Sequence, residues 1–299
     1  MIRRWARYIK VAYRPSVQIP YTVSWALGLT ALFACVTGAV GRWYPDPQLV
    51  VTAITLVATM LLIRAQDDIR DADYDRRVNP DRPLPSGLVR ERDLVALVAC
   101  GSAVLVLINA GRGAALVILI VQMVYTGVVV ALERLAGWPR RDKLLQQLMV
   151  NLPILSMLSL YVYAGFLRAE QLQPDIGGLV IIVAVTVSAL CTELGRKATR
   201  APRLDERSYV TVLGPSGTSL AALGAAVLAT AIVIVVLAPW RAGGGWGWLV
   251  LAPLILPAAA VVRFAAGSVR WPVAPTVAYI PAMYTSFLAA GWLTKGAIG

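Results

Sequence analysis

Apolar residues occur in nine successive runs along the chain, separated by short polar segments. Each run has roughly the 17 to 25 residues that a helix needs to cross the ~30 Å hydrocarbon core of a bilayer. The pattern therefore predicts an all-α integral membrane bundle of nine transmembrane helices. The predicted helices lie at 16–36, 48–65, 93–111, 114–132, 144–166, 177–195, 217–238, 246–264 and 273–293.

Two longer polar segments, 64–93 and 196–216, interrupt this pattern after the second and the sixth apolar runs. Neither is long enough for a soluble domain, so we predict a single transmembrane domain over 1–299. Because the two segments lie four helices apart and both begin before a helix has clearly ended, they suggest two similar halves with one motif loop each.

The distribution of basic residues predicts the orientation in the membrane. The chain is 58% hydrophobic and carries a formal charge of +12. Of its 28 Lys and Arg residues, 23 fall in the N-terminal segment and in alternate loops on the same side. Cytoplasmic loops are rich in Lys and Arg, so the N-terminus is predicted to be cytoplasmic and the C-terminus outside. This pattern indicates a multi-pass protein of a bacterial-type cytoplasmic membrane, with the bilayer rather than nucleic acid as its partner. The remaining five basic residues are Arg42, Arg112, Arg168, Arg241 and Lys295.

The chain contains no histidine, and its three cysteines have no paired spacing. Histidine-dependent triads and HExxH metal sites are therefore excluded, and neither a disulfide framework nor a zinc site is indicated. Any metal chemistry has to use oxygen ligands.

Five aspartates follow the second apolar run, which has no Gly or Pro to end its helix. On a continuous helix, four of them fall within about 100° of arc, whereas Asp73 points away. The four that share a face are Asp67, Asp68, Asp71 and Asp75.

This acidic face is either a solvated charged surface or a metal site. Two carboxylates ~6 Å apart repel each other by roughly 3 kcal/mol at an effective dielectric of ~20, so several such pairs at the mouth of a membrane bundle favour bound cations. Oxygen ligands select hard ions such as Mg²⁺, which usually keeps coordination positions for water and phosphate oxygens. The motif therefore predicts Mg²⁺ as cofactor and a phosphate or diphosphate as ligand.

The segment Arg82-Pro-Leu-Pro-Ser-Gly87 follows the aspartates. Together they resemble the NDxxDxxxD and RPxPSG motifs of the UbiA superfamily of membrane-embedded prenyltransferases, with Asp67 in place of the usual Asn. Arg14-Pro15 also resembles the N-terminal RP of that family. The resemblance implies an active site facing the cytoplasm, in which the aspartates hold Mg²⁺ on an isoprenyl diphosphate. It also implies a lipophilic acceptor, whose identity the sequence does not specify.

The second polar segment departs from the DxxxD motif that the family carries at the corresponding place. Here Glu193 is followed by Arg196, Lys197 and Arg200, all within about 100° of helix arc. One interpretation is a cationic helix end that faces anionic lipid headgroups. The functional interpretation is that Glu193 keeps one metal contact, while the three cations bind diphosphate oxygens.

Two nearby residues have alternative interpretations. Tyr209 either contacts the diphosphate or is an ordinary interfacial tyrosine. Asp205 is either a displaced metal ligand or, as we favour, an ion-pair partner of Arg203 or Arg207.

These interpretations define the candidate site. The metal ligands are Asp67, Asp68, Asp71, Asp75 and Glu193, and the catalytic set adds Lys197. The diphosphate contacts are Arg14, Arg82, Arg196, Lys197, Arg200 and Tyr209.

Ionisation of the diphosphate ester produces an allylic cation with two possible fates. In a prenyltransferase an aromatic or other lipophilic acceptor attacks it, and in a terpene cyclase of the same superfamily the double bonds of the substrate attack it. A transporter or a binder of anionic lipid headgroups is a third possibility. It is disfavoured because the charged residues lie at helix ends rather than at the bilayer midplane.

Overall fold

Helices form the regular structure of the chain in the computed structural model, which describes residues 1–37, 43–140, 143–202, 206–241 and 245–296. Within these residues there is no strand, only an isolated bridge between Thr199 and Arg270. The α-helices are α1 (Ile2–Tyr8), α2 (Pro15–Val36), α3 (Pro47–Arg70), α4 (Ala72–Val78), α5 (Glu91–Ile108), α6 (Ala114–Ala136), α7 (Leu144–Ala169), α8 (Ile176–Arg196), α9 (Val210–Leu237), α10 (Ile255–Ala265) and α11 (Val273–Gly296). A π-helix (Ile9–Tyr13) follows α1, and a 3-10 helix (Trp246–Leu254) precedes α10.

Eight helical segments among the described residues are long and apolar enough to cross a membrane. They coincide with eight of the nine predicted runs, so the all-α class is confirmed. The remaining run, 93–111, corresponds to α5, whose 18 residues begin with Glu91, Arg92 and Asp93. The count of nine and the orientation of the termini remain predictions.

The chain divides into two compact units, each assembled from two separate segments. The first unit comprises Met1–Val23 and Val50–Tyr161, and the second comprises Ser24–Leu49 and Val162–Gly299. The single domain over 1–299 and the two similar halves remain predictions.

In the first unit, the charged start of α5 is held by the N-terminal segment. The Asp93 carboxylate accepts hydrogen bonds from the Arg90 backbone N–H at 3.1 Å and from the Arg4 guanidinium at 3.1 Å. Trp5 donates its indole N–H to the Asp93 carbonyl oxygen at 2.7 Å. A carboxylate at the third helical position that accepts the N-cap N–H stabilises a helix start, and here it also attaches α1 to α5.

A second polar cluster of the first unit surrounds Arg112, which is only 6% exposed. Its guanidinium donates to the Tyr161 hydroxyl at 2.5 Å, to Thr52 Oγ1 at 2.9 Å and to Asn109 Oδ1 at 3.1 Å. Asn109 in turn donates to Thr55 Oγ1 at 2.9 Å. These bonds, which we call the Arg112 network, connect α3, the end of α5 and α7.

In the second unit, α8 packs against α9, and α11 packs against α8, α10 and the 3-10 helix. Asp175 caps α8 by accepting the Gly178 N–H at 2.8 Å. Gly214 breaks the regular geometry of α9 with a φ of 70°, which glycine adopts readily, and Pro215 follows it. Two helical parts therefore meet at Gly214, and the long part that follows it begins close to the predicted residue 217.

Candidate functional site

The acidic motif lies on a nearly continuous helical extension formed by the end of α3 and by α4. Asp71 separates the two helices with a φ of −88° and a ψ of 6°. The backbone N–H of Asp71 nevertheless bonds to the Asp67 carbonyl at 2.8 Å, and that of Asp75 to the Asp71 carbonyl at 2.8 Å. The expected extension of the helix into the motif is present, with one break.

Asp68 is buried inside the first unit, with a side chain only 2% exposed. It accepts a hydrogen bond from the Tyr8 hydroxyl at 2.8 Å and forms an ion pair with Arg64 at 2.7 Å. Burial, followed by the negative charge of Asp68, raises the pKa of Tyr8 above its usual value. Tyr8 therefore stays protonated, and its hydroxyl donates the hydrogen bond that orients one Asp68 oxygen.

Asp75 is equally buried, with a side chain 1% exposed. Arg82 Nη1 lies 2.7 Å from one Asp75 oxygen and 3.9 Å from Asp68, while Asn79 donates to the other Asp75 oxygen at 2.9 Å. The turn after α4 places Arg82, since its carbonyl accepts the Ser86 N–H at 2.9 Å and Gly87 adopts a φ of 75°. The Arg82 segment thus brings one guanidinium to two buried carboxylates.

The other aspartates of the motif are more accessible. Asp67, 40% exposed, pairs with Arg70 at 3.1 Å, and Asp71 is half-buried. Asp73 is exposed and pairs with Arg76 at 2.5 Å. Asp73 therefore points away from the shared face, as the helical geometry predicts.

The donor chemistry of this face fits Mg²⁺. Among the described residues, no three His, Cys, Asp or Glu side chains are grouped closely enough to hold a metal, and Asp67, Asp68 and Asp75 each pair with an arginine. The predicted ligands are nevertheless all carboxylate oxygens, and among the described residues the buried Asp68 Oδ1 accepts no hydrogen bond despite its ion pair with Arg64. A cation bound here would compete with Arg64 and Arg82 for these oxygens.

Arg14, a predicted diphosphate contact in the first unit, is exposed between the π-helix and α2. Its φ of 51° lies in the left-handed region, where the chain turns into α2. The neighbouring Tyr13 is buried and donates its hydroxyl to the Val57 carbonyl at 2.7 Å, which attaches this turn to α3. Burial raises the pKa of Tyr13 to about 12.

In the second unit, Glu193 near the end of α8 is held by two cations. One of its oxygens pairs with Arg196 at 2.7 Å and the other with Lys197 at 2.6 Å. The Lys197 ammonium lies 6.0 Å from the centre of the Tyr209 ring. The structure therefore brings Arg196 and Lys197 to the Glu193 carboxylate and places Tyr209 beside Lys197.

Tyr209 is fully buried at the start of α9, and its hydroxyl has no hydrogen-bond partner among the described residues. Burial and then the negative charge of Glu193 raise its pKa above the usual value. A buried hydroxyl without a partner is costly, so Tyr209 is suited to donate to a ligand oxygen.

Arg200, in the second unit, contacts α10 and not the Glu193 carboxylate. Its guanidinium lies 4.7 Å from the centre of the Phe264 ring and donates to the Phe264 carbonyl at 2.9 Å. Arg200 is thus fixed on α10 rather than on Glu193. Three residues discussed from the sequence lie outside the described part of the chain: Arg42, Arg203 and Asp205.

The first unit also contains an open polar cavity of about 440 Å³ on the opposite side of the motif helix. None of the four aspartates of the shared face lines it. Its walls carry three arginines and three carboxylates, and it is lined by Ile69, Arg70, Ala72, Asp73, Arg76, Glu91, Glu133, Arg134 and Gly137. The predicted site and this cavity are therefore on different faces of the same helix.

Comparison with known proteins supports the fold that the helices indicate. No protein-family model and no curated protein matches the chain. The apo structure of a UbiA homolog from Aeropyrum pernix K1 matches it with a TM-score of 0.60, covering 92% of this chain and 96% of that chain at 18% identity. This likeness shows a shared fold, so the resemblance to the UbiA superfamily is confirmed at the level of the fold. Together with the apolar helices, it supports a multi-pass integral membrane protein.

Proposed function

We propose that the protein is a Mg²⁺-dependent intramembrane prenyltransferase. It ionises an isoprenyl diphosphate and transfers the prenyl group to an aromatic or other lipophilic acceptor. The observation that carries the proposal is the acidic face of α3 and α4, with two deeply buried aspartates, in a chain that has the fold of a UbiA homolog.

In the first unit, Asp67, Asp68, Asp71 and Asp75 would hold the metal. Mg²⁺ supplies the positive charge that stabilises the departing diphosphate as its C–O bond breaks. Arg82 keeps Asp68 and Asp75 oriented before the ligand binds, and its guanidinium can then turn toward phosphate oxygens. Arg14 is exposed immediately before α2, and it would supply further positive charge to the diphosphate.

For the second unit we propose separate roles in binding phosphate oxygens. Arg196 and Lys197 would exchange their ion pairs with Glu193 for bonds to a phosphate, which leaves the Glu193 carboxylate available to a metal. Tyr209 would donate its hydroxyl, and Arg200 would contribute from its position on Phe264.

Product analysis tests the proposal directly. The purified protein is incubated with Mg²⁺ and isoprenyl diphosphates of several chain lengths, with and without a panel of aromatic acceptors, and the products are identified by mass spectrometry. We expect a prenylated acceptor and free diphosphate only when acceptor and Mg²⁺ are both present, and no product after chelation of the metal. A cyclic terpene formed without acceptor would instead identify a cyclase. Binding of the diphosphate without any turnover would identify a transporter or binding protein.

A further inference from the structure

We propose that Glu133 tunes the metal affinity of the acidic motif by sharing the Arg70 guanidinium with Asp67. Glu133 lies on α6, outside the motif and outside the residues that the sequence singles out. It would act as a positioning residue, because its contact with the motif passes through Arg70. The inference rests on the proposed function, since it concerns the same metal site.

Arg70 stands in the last turn of α3 and connects three helices of the first unit. Its guanidinium lies 3.1 Å from Asp67 Oδ1, 3.5 Å from Glu133 Oε2 and 3.5 Å from the side-chain oxygen of Asn151 on α7. The side chain of Arg70 is 12% exposed and that of Glu133 only 1%. One buried cation is therefore divided between a buried carboxylate and a partly exposed one.

The division of this charge affects a metal at Asp67. Arg70 and a divalent cation compete for the same carboxylate. A stronger ion pair between Arg70 and Asp67 therefore lowers the affinity of the site for the metal. Glu133 attracts the guanidinium away from Asp67, and this attraction is strengthened because the Glu133 side chain is only 1% exposed. The carboxylate of Glu133 therefore leaves Asp67 more of its negative charge.

A purely structural role for the pair makes a different prediction. If Arg70 and Glu133 only attach α3 to α6, then any loss of the pair damages the site, and loss of both partners damages it at least as much. If they share charge, the removal of Glu133 weakens metal binding, whereas the removal of both residues relieves Asp67 of its competing cation and restores binding.

The test measures Mn²⁺ binding to the purified full-length protein in detergent by electron paramagnetic resonance, with no substrate present. We expect Glu133→Gln to raise the half-saturating Mn²⁺ concentration at least about fivefold, as an order of magnitude from Coulomb's law. The double variant Arg70→Gln/Glu133→Gln should bind Mn²⁺ at least as tightly as the wild type. Glu91→Gln is the matched control, because it removes a carboxylate from the same cavity but from an exposed pair with Arg134. Glu91→Gln should change the half-saturating Mn²⁺ concentration by less than about twofold.

The outcomes separate this inference from the proposed function. Wild-type binding that Asp71→Asn abolishes but Glu133→Gln leaves unchanged would overturn the role of Glu133 and leave the metal site standing. If the double variant binds Mn²⁺ more weakly than the wild type, the proposed role of Glu133 is also overturned. This comparison can be made even if Glu133→Gln alone fails to fold. Absence of Mn²⁺ binding in the wild type would overturn both proposals.

Discussion

Asp71→Asn is expected to lower Mg²⁺-dependent release of diphosphate from an isoprenyl diphosphate by about a hundredfold to a thousandfold. The amide keeps the size of the side chain but removes the negative charge that holds a divalent cation on the shared face of α3 and α4. The measurement is the rate of diphosphate release by the purified variant at saturating isoprenyl diphosphate and acceptor, with Mg²⁺ varied.

Asp73→Asn is the matched control for this change. Asp73 lies two residues away in the same motif, is 72% exposed and pairs only across the surface with Arg76. Because an exposed ion pair contributes little, Asp73→Asn should keep the wild-type rate within about twofold. Equal losses in both variants would indicate general damage to α4. A wild-type rate in Asp71→Asn would contradict the metal site.

The membrane helices could be predicted from the sequence because the requirement for a long apolar segment acts on each helix separately. The start predicted for the seventh helix, residue 217, lies close to the break at Gly214, after which the long part of α9 runs to Leu237. The apolar run 246–264 predicts one helix, but its first nine residues, Trp246–Leu254, form a 3-10 helix.

The helical extension through the acidic motif could also be predicted, since no Gly or Pro interrupts it, whereas the common face of the four aspartates stays a prediction. The partners of the aspartates could not be predicted. Tyr8 bonds to Asp68 across 60 positions of the sequence, and Glu133 reaches the motif through Arg70 from a different helix. Such contacts depend on how distant segments pack, for which a single sequence contains no periodic signal.

Arg112 shows a limit of interpreting charge by position alone. The alternation of loops predicts it as one of few basic residues on the outer side, and nothing in the sequence marks it as different from Arg168 or Arg241. The structure instead places it inside the first unit, among the side chains of Thr52, Asn109 and Tyr161. A buried arginine with three such partners indicates a structural role.

Arg112→Leu is therefore expected to lower the free energy of unfolding by about 3 to 5 kcal/mol, because hydrogen bonds to a buried charged group contribute about 1.5 to 3 kcal/mol each and are not fully additive. Tyr161→Phe removes one hydroxyl from the network and should lower it by about 1 to 2 kcal/mol. The measurement is unfolding of the purified protein in mixed micelles by increasing denaturing detergent, followed by far-ultraviolet circular dichroism.

Arg92→Leu is the matched control for Arg112→Leu. It makes the same substitution in the first turn of α5, where Arg92 is exposed, so stability should change by no more than about 0.5 kcal/mol. The contrast isolates burial and hydrogen bonding from the general effect of losing one positive charge. Equal stability of Arg112→Leu and Arg92→Leu would show that the Arg112 network does not hold α3, α5 and α7 together.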